Sequence, residues 1–371
     1  MSDTISISVA GASGYTGMEA IRILHGHPKV NLTRLYGSKS AGTAFSSQYR
    51  GMEALVDLPI LSFEELASDD SDAIFMGLPH GKSAEAAKTL FDAGYKGRIV
   101  DMSSDFRLHD PAAYQKWYGW THPHPELIER FVYGLTEWYR NDIRRADHIS
   151  NPGCFASAIQ LGLLPFAKAG LVDSCDVTGI TGSSGSGASP SAGTHFSSRF
   201  GNVKAYKVYA HQHIGEVNQT LAHQLGVSQA GSGETPSATG AGVTGAGADG
   251  FKPDGRSLPE VRFVPVSGPF VRGIWMTITF TLLEERRAGD LLEEEYYNAP
   301  LVRLQEGLPE LKEVVGSAFT DIGWVQQGRR VVVGVAIDNL LKGAASQAVQ
   351  NLNLMMDWPE ETGLTFPPSL L

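Results

Sequence analysis

The chain has 371 residues, 42% hydrophobic and 19% charged, with a formal net charge of −10 at pH 7. That length suits two domains with their own cores, and the acidic balance, with no basic stripe, argues against nucleic acid as a partner. No apolar run approaches the roughly 18 residues of a membrane span, and two cysteines cannot form a disulfide framework, so a cytoplasmic protein with no membrane partner is expected.

The N-terminus is polar and enters a strand at once, so no secretory signal or transit peptide is expected. "ISISV" (Ile5–Val9) alternates apolar and polar residues as a strand does. "GASGYTG" then makes a turn, and Met18, Ile21 and Leu24 give a helical stripe. "VNLTRLYGS" reads as a second strand. "AIFMGLP" (Ala73–Pro79) and "GRIVDMS" (Gly97–Ser103) are further short strands around the helix-like "KSAEAAKTLFDAG". Alternating β and α predicts an α/β fold, with a Rossmann-like, doubly wound parallel sheet over residues 1–150. After residue 150 longer alternating strands appear: "VTGITGSSG", "VRFVPVSG", "GIWMTITFTLLE" and "RRVVVGVAID". They predict an α+β second domain with a mixed sheet over 151–337. Gly226–Ser257 holds too little apolar bulk to offset ordering entropy, and is expected to be a flexible surface insertion. Asp338–Met356 reads as a helix with Leu341, Ala345, Ala348, Leu352 and Met355 on one face. The helical segment 338–371 is expected to complete the first domain.

Several stretches could carry chemistry. In "GASGYTG", Gly11 allows a tight turn, Gly14 lets the backbone approach a pyrophosphate, and the helix opening at Tyr15, Thr16 and Gly17 offers positive charge. With Ser13 these residues form the expected dinucleotide site. An NAD site usually carries an acid at the end of the second strand. Here "LYGSKSAG" has none, while Ser38, Lys39 and Ser40 suit a 2′-phosphate, so NADP or NADPH is preferred over a plain polar loop. "LPHG" follows another strand and brings Pro79 and His80 near the cofactor, with a backbone role for the turn preferred over acid–base work. In "DMSSDFR", Arg107 could fork onto a phosphate or carboxylate; a surface ion pair competes with that. "TGSSGSGASPS" could wrap a phosphate as a nest of backbone donors at Ser183, Ser184 and Ser186, or be a plain linker.

"SNPGCFASAIQLGLLP" puts Cys154 where an apolar helix begins. A helix N-terminus favours thiolate over thiol. "YKVYAHQHIGEVNQTL" starts at Tyr206 and holds His211 and His213 two apart, on the same side if the chain is extended, with Glu216 three further on. Acid–base work is preferred there over zinc, because Cys154 is the one plausible thiolate, and no metal is expected. Cys175, at a strand entrance, is expected to be structural.

Together "GASGYTG", "LPHG", "DMSSDFR", "YGLTE", "SNPGCFASA", "HQHIGEVNQ", Arg272–Gly273 and "DNLLKGAASQA" resemble the N-acetyl-gamma-glutamyl-phosphate reductase family, related to the aspartate-semialdehyde dehydrogenases. The resemblance spans nearly the whole chain. It implies NADPH-dependent reduction of an N-acyl-gamma-glutamyl phosphate to the semialdehyde, in arginine biosynthesis, through a thioester on Cys154. It implies His211 as the acid–base, with Tyr206, His213 and Glu216 in substrate binding or orientation. Arg107 and the Ser183–Ser186 loop would hold the phosphate, and Asn339 resembles the residue that bonds the nicotinamide carboxamide. The partners implied are a small acyl phosphate, inorganic phosphate and a second copy of the chain, as homodimer or homotetramer. The family more commonly shows His-Arg-His-Thr-Pro-Glu where "HQHIGE" stands, and a Ser-Gly-Ala-Gly-Arg-like run where "SSGSGASPS" stands, which leaves the acyl group open. Reduction of a carrier-linked aminoadipyl phosphate in lysine synthesis, or a non-catalytic dinucleotide sensor, are the alternatives.

Overall fold

The computed structural model describes residues 4–227 and 258–369; the expected insertion therefore lies outside the described residues except for its first two positions. Seven strands form the first sheet: β1 (Ile5–Ala10), β2 (Val30–Tyr36), β3 (Ile60–Leu61), β4 (Ala73–Met76), β5 (Arg98–Asp101), β6 (Val132–Tyr133) and β7 (His148–Ser150). Their order is β3-β2-β1-β4-β5-β7-β6, and every pairing is parallel. The chain leaves β1 toward one edge and returns at β4 toward the other. That reversal opens a crevice at the strands' carboxyl ends, where open α/β sheets bind ligands. Helix α1 (Tyr15–His25) follows β1, and α2 (Lys82–Asp92) follows β4. Then come α3 (Pro111–Tyr118) and α4 (Thr136–Arg145).

Two glycines make the turn after β1 possible. At Gly11 φ is +93°, and a Cβ would lie 2.4 Å from the Gly77 carbonyl oxygen. A Cβ on Gly17 would lie 2.2 Å from the Gly11 carbonyl oxygen, so helix and turn could not close together.

Helix α5 (Cys154–Lys168) is buried from Phe155 to Ala167 because it lies between the second sheet and α6 (His213–Gln224). The second sheet holds β8 (Ser174–Thr181), β9 (Lys204–Ala205), β10 (Glu260–Ser267), β11 (Ile274–Thr281), β12 (Val302–Glu306), β13 (Thr320–Gln327) and β14 (Arg330–Ile337). Its order is β12-β13-β14-β11-β8-β10-β9, with β8·β10 and β12·β13 parallel and the rest antiparallel. The sheet is thus mixed. Gly162 brings α5 down on it, since a Cβ there would meet Ile278 and Val335 at 2.7 and 2.8 Å.

The last helix departs from expectation. Asp338 accepts N–H bonds from Leu340 and Leu341 at 2.9 and 3.1 Å, a wide turn covers Leu341–Ala345, and only Ser346–Met355 (α7) is α-helical. Asp357 is left-handed at φ +56°, and no helix follows among the described residues. Both faces of α7 are buried, because its polar side also has partners. Asn351 donates to Gly134 O at 2.9 Å and accepts from Thr136 Oγ1 at 2.7 Å, while Asn353 donates to Glu360 O at 2.8 Å. This segment packs on α1 and α4 of the first unit. Arg272 fastens the two halves: it chelates Asp338 at 3.1 Å through both Nε and Nη2, and Nη1 reaches Glu19 on α1.

Lys342 is wholly buried, donating to Glu137 at 2.5 Å and to Gln350 at 2.7 Å. Lys342→Met should cost about 3–5 kcal/mol in urea unfolding, because it strands a buried carboxylate. The double variant Lys342→Met/Glu137→Leu should recover most of that loss. Equal destabilisation of single and double variants would show that packing, not charge, decides the position.

Candidate active site

Cys154 is the first residue of α5, after the cap residue Gly153, whose backbone is extended at φ −69°, ψ 144°. The turn before it is held from several sides. Asn151 N–H donates to Asp101 O at 2.7 Å, its side chain donates to Ala344 O at 3.1 Å, and its carbonyl accepts from Arg107 Nε at 2.8 Å. Position 153 has room only for glycine: a Cβ would lie 2.5 Å from Nε2 of His213. The His213 imidazole therefore rests directly on the turn that presents the thiol. The thiol itself is half-buried.

Glu216, one turn into α6, has no exposure. Its carboxylate accepts from Gly153 N–H at 2.9 Å, Tyr133 OH at 2.8 Å, Tyr118 OH at 3.3 Å and Arg107 Nη1 at 3.4 Å. Both tyrosines are held well above the ordinary phenol range, first by burial and then by Glu216, so they stay protonated donors. His213 Nε2 lies 4.0 Å from the same carboxylate.

The two histidines do not lie on a strand. Gln212 is already helical and α6 starts at His213, yet the rings still meet, 4.7 Å apart and nearly perpendicular. His211 Nδ1 accepts the His213 backbone N–H at 3.3 Å, and Phe155, Phe263 and Tyr206 surround its ring. Burial, then the neighbouring His213 and Lys207, push His211 down to about 2. Burial and the Arg107 charge hold His213 well below the usual imidazole range. Both rings are neutral at pH 7. Burial also pushes the Cys154 thiol up to about 11, although Arg107 and the Phe155 N–H pull it back. A helix N-terminus alone favours the thiolate; here desolvation outweighs it and the resting sulfur is a thiol.

Other residues take positions that the sequence did not foretell. Arg107 was expected to hold a substrate anion, but its guanidinium is buried and spent on Glu216, Asn151 O and Met102 O, the last at 3.1 Å. Glu216 is likewise wholly buried and engaged by four donors, which suits it to orienting its neighbours. The Ser183–Ser186 turn is not an open nest: Ser183 and Ser184 N–H donate to Phe270 O and Val271 O at 2.9 and 3.0 Å. Ser184 is buried, Ser183 half-buried and Ser186 exposed. Asn339 binds protein at both ends of its amide, donating to Ser184 Oγ at 3.0 Å and accepting from Gly273 N–H at 2.7 Å. Tyr206 is half-buried close to Cys154, and burial, then the charge of an ionised Cys154, raise its phenol pKa. Cys175 is fully buried.

In the crevice, Gly14 leaves space above α1, since a Cβ there would have no heavy atom nearer than 3.5 Å. Tyr15 is exposed, and Thr16 half-buried, at the opening turn. Ser13 and buried Ser40 bond each other through their hydroxyls, which ties the first turn to the loop after β2 and leaves Ser38 and Lys39 exposed. Pro79 and His80 are exposed, and the His80 ring bonds Ser104. Sequence reasoning missed Tyr118, Lys207 and Asp105, which caps α2 by accepting from Gly81 and Ala84 N–H, both at 2.9 Å. Tyr133 lay in plain view in "YGLTE" without a role.

The fold and the chain have counterparts among known proteins. A family model described as semialdehyde dehydrogenase, NAD binding domain, matches residues 6–146, and one described as semialdehyde dehydrogenase, dimerisation domain, matches 154–231 and 252–339. N-acetyl-gamma-glutamyl-phosphate reductase of Geobacillus kaustophilus is 37% identical over 373 residues, covering 98% of this chain and 99% of the relative. The chain belongs to the N-acetyl-gamma-glutamyl-phosphate reductase family. It is an oxidoreductase with the family's dinucleotide-binding half. The reductase of the same name from Streptococcus thermophilus is 36% identical, covering 99% of this chain and 100% of the relative. Among solved structures, aspartate semialdehyde dehydrogenase II of Vibrio cholerae superposes with a TM-score of 0.67 at 16% identity, over 95% of this chain and 98% of that one. That likeness establishes the fold. Among the described residues no helix is long and apolar enough to cross a membrane.

A resting thiol predicts a pH signature in the ligand-free protein. Alkylation of Cys154 by iodoacetamide, followed on its own peptide by mass spectrometry, should rise about tenfold per pH unit from 7 to 10. A plateau below pH 8 would mean that a thiolate–imidazolium pair already exists.

Proposed function

We propose that this chain reduces an N-acyl-gamma-glutamyl phosphate to the N-acyl-glutamate semialdehyde with NADPH, releasing inorganic phosphate, through a thioester on Cys154. The observation that carries this reading is the half-buried thiol at the head of α5 with a neutral imidazole packed on the turn before it. The relatives' name supports the substrate class and a place in arginine biosynthesis.

The sulfur attacks the acyl carbonyl while its proton passes to an imidazole, the carbonyl–oxygen bond to phosphate breaks, and phosphate leaves. Bound NADPH supplies the hydride that reduces the thioester carbonyl. The imidazolium then returns its proton to the developing oxyanion, and collapse gives the aldehyde and frees the sulfur. His213 is better situated for this than His211, the residue favoured by family pattern. Its ring rests on Gly153, and its Nδ1 has no hydrogen-bond partner among the described residues, whereas His211 Nδ1 is tied to the backbone. Glu216 and Arg107 fix the turn and ring without touching substrate.

The crevice suits a dinucleotide. Gly14 leaves the approach to the first turn of α1 open, and the N–H groups of Tyr15, Thr16 and Gly17 lack helical acceptors by their position. Exposed Ser38 and Lys39, with no carboxylate between Leu35 and Gly42, favour a 2′-phosphate. Pro79 and His80 border the same crevice. Self-association through the second half completes the reading; Phe196 and Phe200 stack there while 72% and 71% exposed.

Cys154→Ser should lower kcat by at least about 10³-fold while NADPH binding, read by fluorescence, stays intact. Substantial turnover by the serine variant would sink the thioester. Lys39→Ala should weaken NADPH about tenfold, near 1.4 kcal/mol, and leave NADH almost untouched. Equal losses for both would remove Lys39 from the 2′-phosphate.

A further inference from the structure

The substrate proposed above carries two anionic groups, a phosphate and a carboxylate, and the cleft must offer them a cation. The obvious candidates are committed. Arg107 serves Glu216, Arg272 serves Asp338 and Glu19, and Arg199 donates to Gly268 O and Thr181 O, both at 3.1 Å. Lys207 differs from all three. It is exposed, and its Nζ donates to the neutral amide oxygen of Gln212 at 2.8 Å.

The lysine is also held in position. The chain from Tyr206 to Tyr209 is pinned at both ends, Tyr206 N–H donating to Pro265 O at 3.1 Å and Tyr209 N–H to Phe263 O at 3.0 Å. Between them Lys207 and Tyr209 adopt left-handed backbones at φ +43° and +58°, an unfavourable choice for side chains of their size. The turn ends at Ala210, whose N–H bonds Lys207 O at 3.0 Å, and runs directly into His211 and His213. The ammonium charge acts on His80 at the dinucleotide crevice and on His211 and His213 beside the thiol, lowering the basicity of all three. One exposed cation therefore overlooks both sides of the cleft.

We propose that Lys207 anchors an anionic oxygen of the substrate at the mouth of the Cys154 cleft, with Gln212 holding its ammonium in wait. Exchange of a neutral amide oxygen for a carboxylate or phosphate oxygen gives a charge-assisted bond roughly twice as strong. No ion pair has to break first. The proposal rests on the acyl-phosphate reading of the site.

The test uses the full chain carrying Lys207→Gln or Lys207→Arg, assayed toward the acyl phosphate and in reverse with the N-acyl aldehyde and inorganic phosphate varied separately. The Gln variant should raise KM for one reverse substrate by about tenfold or more, with kcat falling less than about threefold, and Arg should restore most of the loss. A rise for inorganic phosphate assigns the phosphoryl group; a rise for the aldehyde assigns the carboxylate. Unchanged KM for both, a fall in kcat alone, or an Arg variant as poor as Gln would overturn the anchor. If the wild type turns over no N-acyl substrate, the functional reading fails by itself. Protection of Cys154 from iodoacetamide by inorganic phosphate or glutarate then still tests the lysine: weaker protection in the Gln variant supports it, and equal protection overturns it.

Discussion

A carboxylate taken wholly out of water costs several kcal/mol unless its lone pairs find donors and its charge a partner. Glu216 is such a group, and its four donors come from four separate stretches of chain: the turn at Gly153, Tyr133 beside the first sheet, Tyr118 at the end of α3, and Arg107 after β5. Arg107 also reaches the turn directly, donating to Asn151 O at 2.8 Å, but the carboxylate is the one group that all four donors share. Satisfying one charge thus fixes the register of the dinucleotide half against the helix that bears the thiol.

The same burial sets the protonation of the reacting groups. Water is scarce around the thiol and both imidazoles, so each prefers its neutral form. Arg107 pulls in opposite directions within this cluster: its charge favours the thiolate and disfavours an imidazolium. The resting arrangement is a neutral donor next to a neutral acceptor. Such a pair exchanges a proton only when something arrives to stabilise the charges that result.

The parallel sheet and its glycine turn were legible because their signals are local. A strand, a Gly-x-x-Gly-x-x-Gly turn and an amphipathic helix stand side by side in residues 5–25, and the steric need for Gly11 and Gly17 falls within the same stretch plus Gly77. The place of Cys154 was legible for a similar reason, as a helix start after Asn-Pro-Gly. The contacts of Arg107 and Asn339 were not legible, because the Arg107 partner is 109 residues away and the Asn339 amide closes on a loop 155 residues earlier. The last helix misled in another way. Its apolar stripe is real, but Asn351, Asn353 and Lys342 are buried as well, answered by Gly134 O, Glu360 O and the Glu137 carboxylate. Periodicity reports only the apolar face, so a helix buried all round through polar pairing looks like a surface helix. Lys207 escaped notice because nothing in its neighbours' identities signals a left-handed turn.

As the proposed anchor, Lys207 would link the electrostatics of the resting cleft to the arrival of a substrate. Its charge is one of those that keep His213 neutral, together with Arg107 and His80. An anion drawn against the ammonium cancels part of that field at the imidazole. On the proposed reading, the ring would then become more basic as the acyl group comes before the sulfur, giving the thiol proton an acceptor. A cleft that held a thiolate permanently would meet any passing electrophile with a reactive sulfur. On that reading, this cleft would keep the proton until a substrate's own charge shifts the balance between Cys154 and His213.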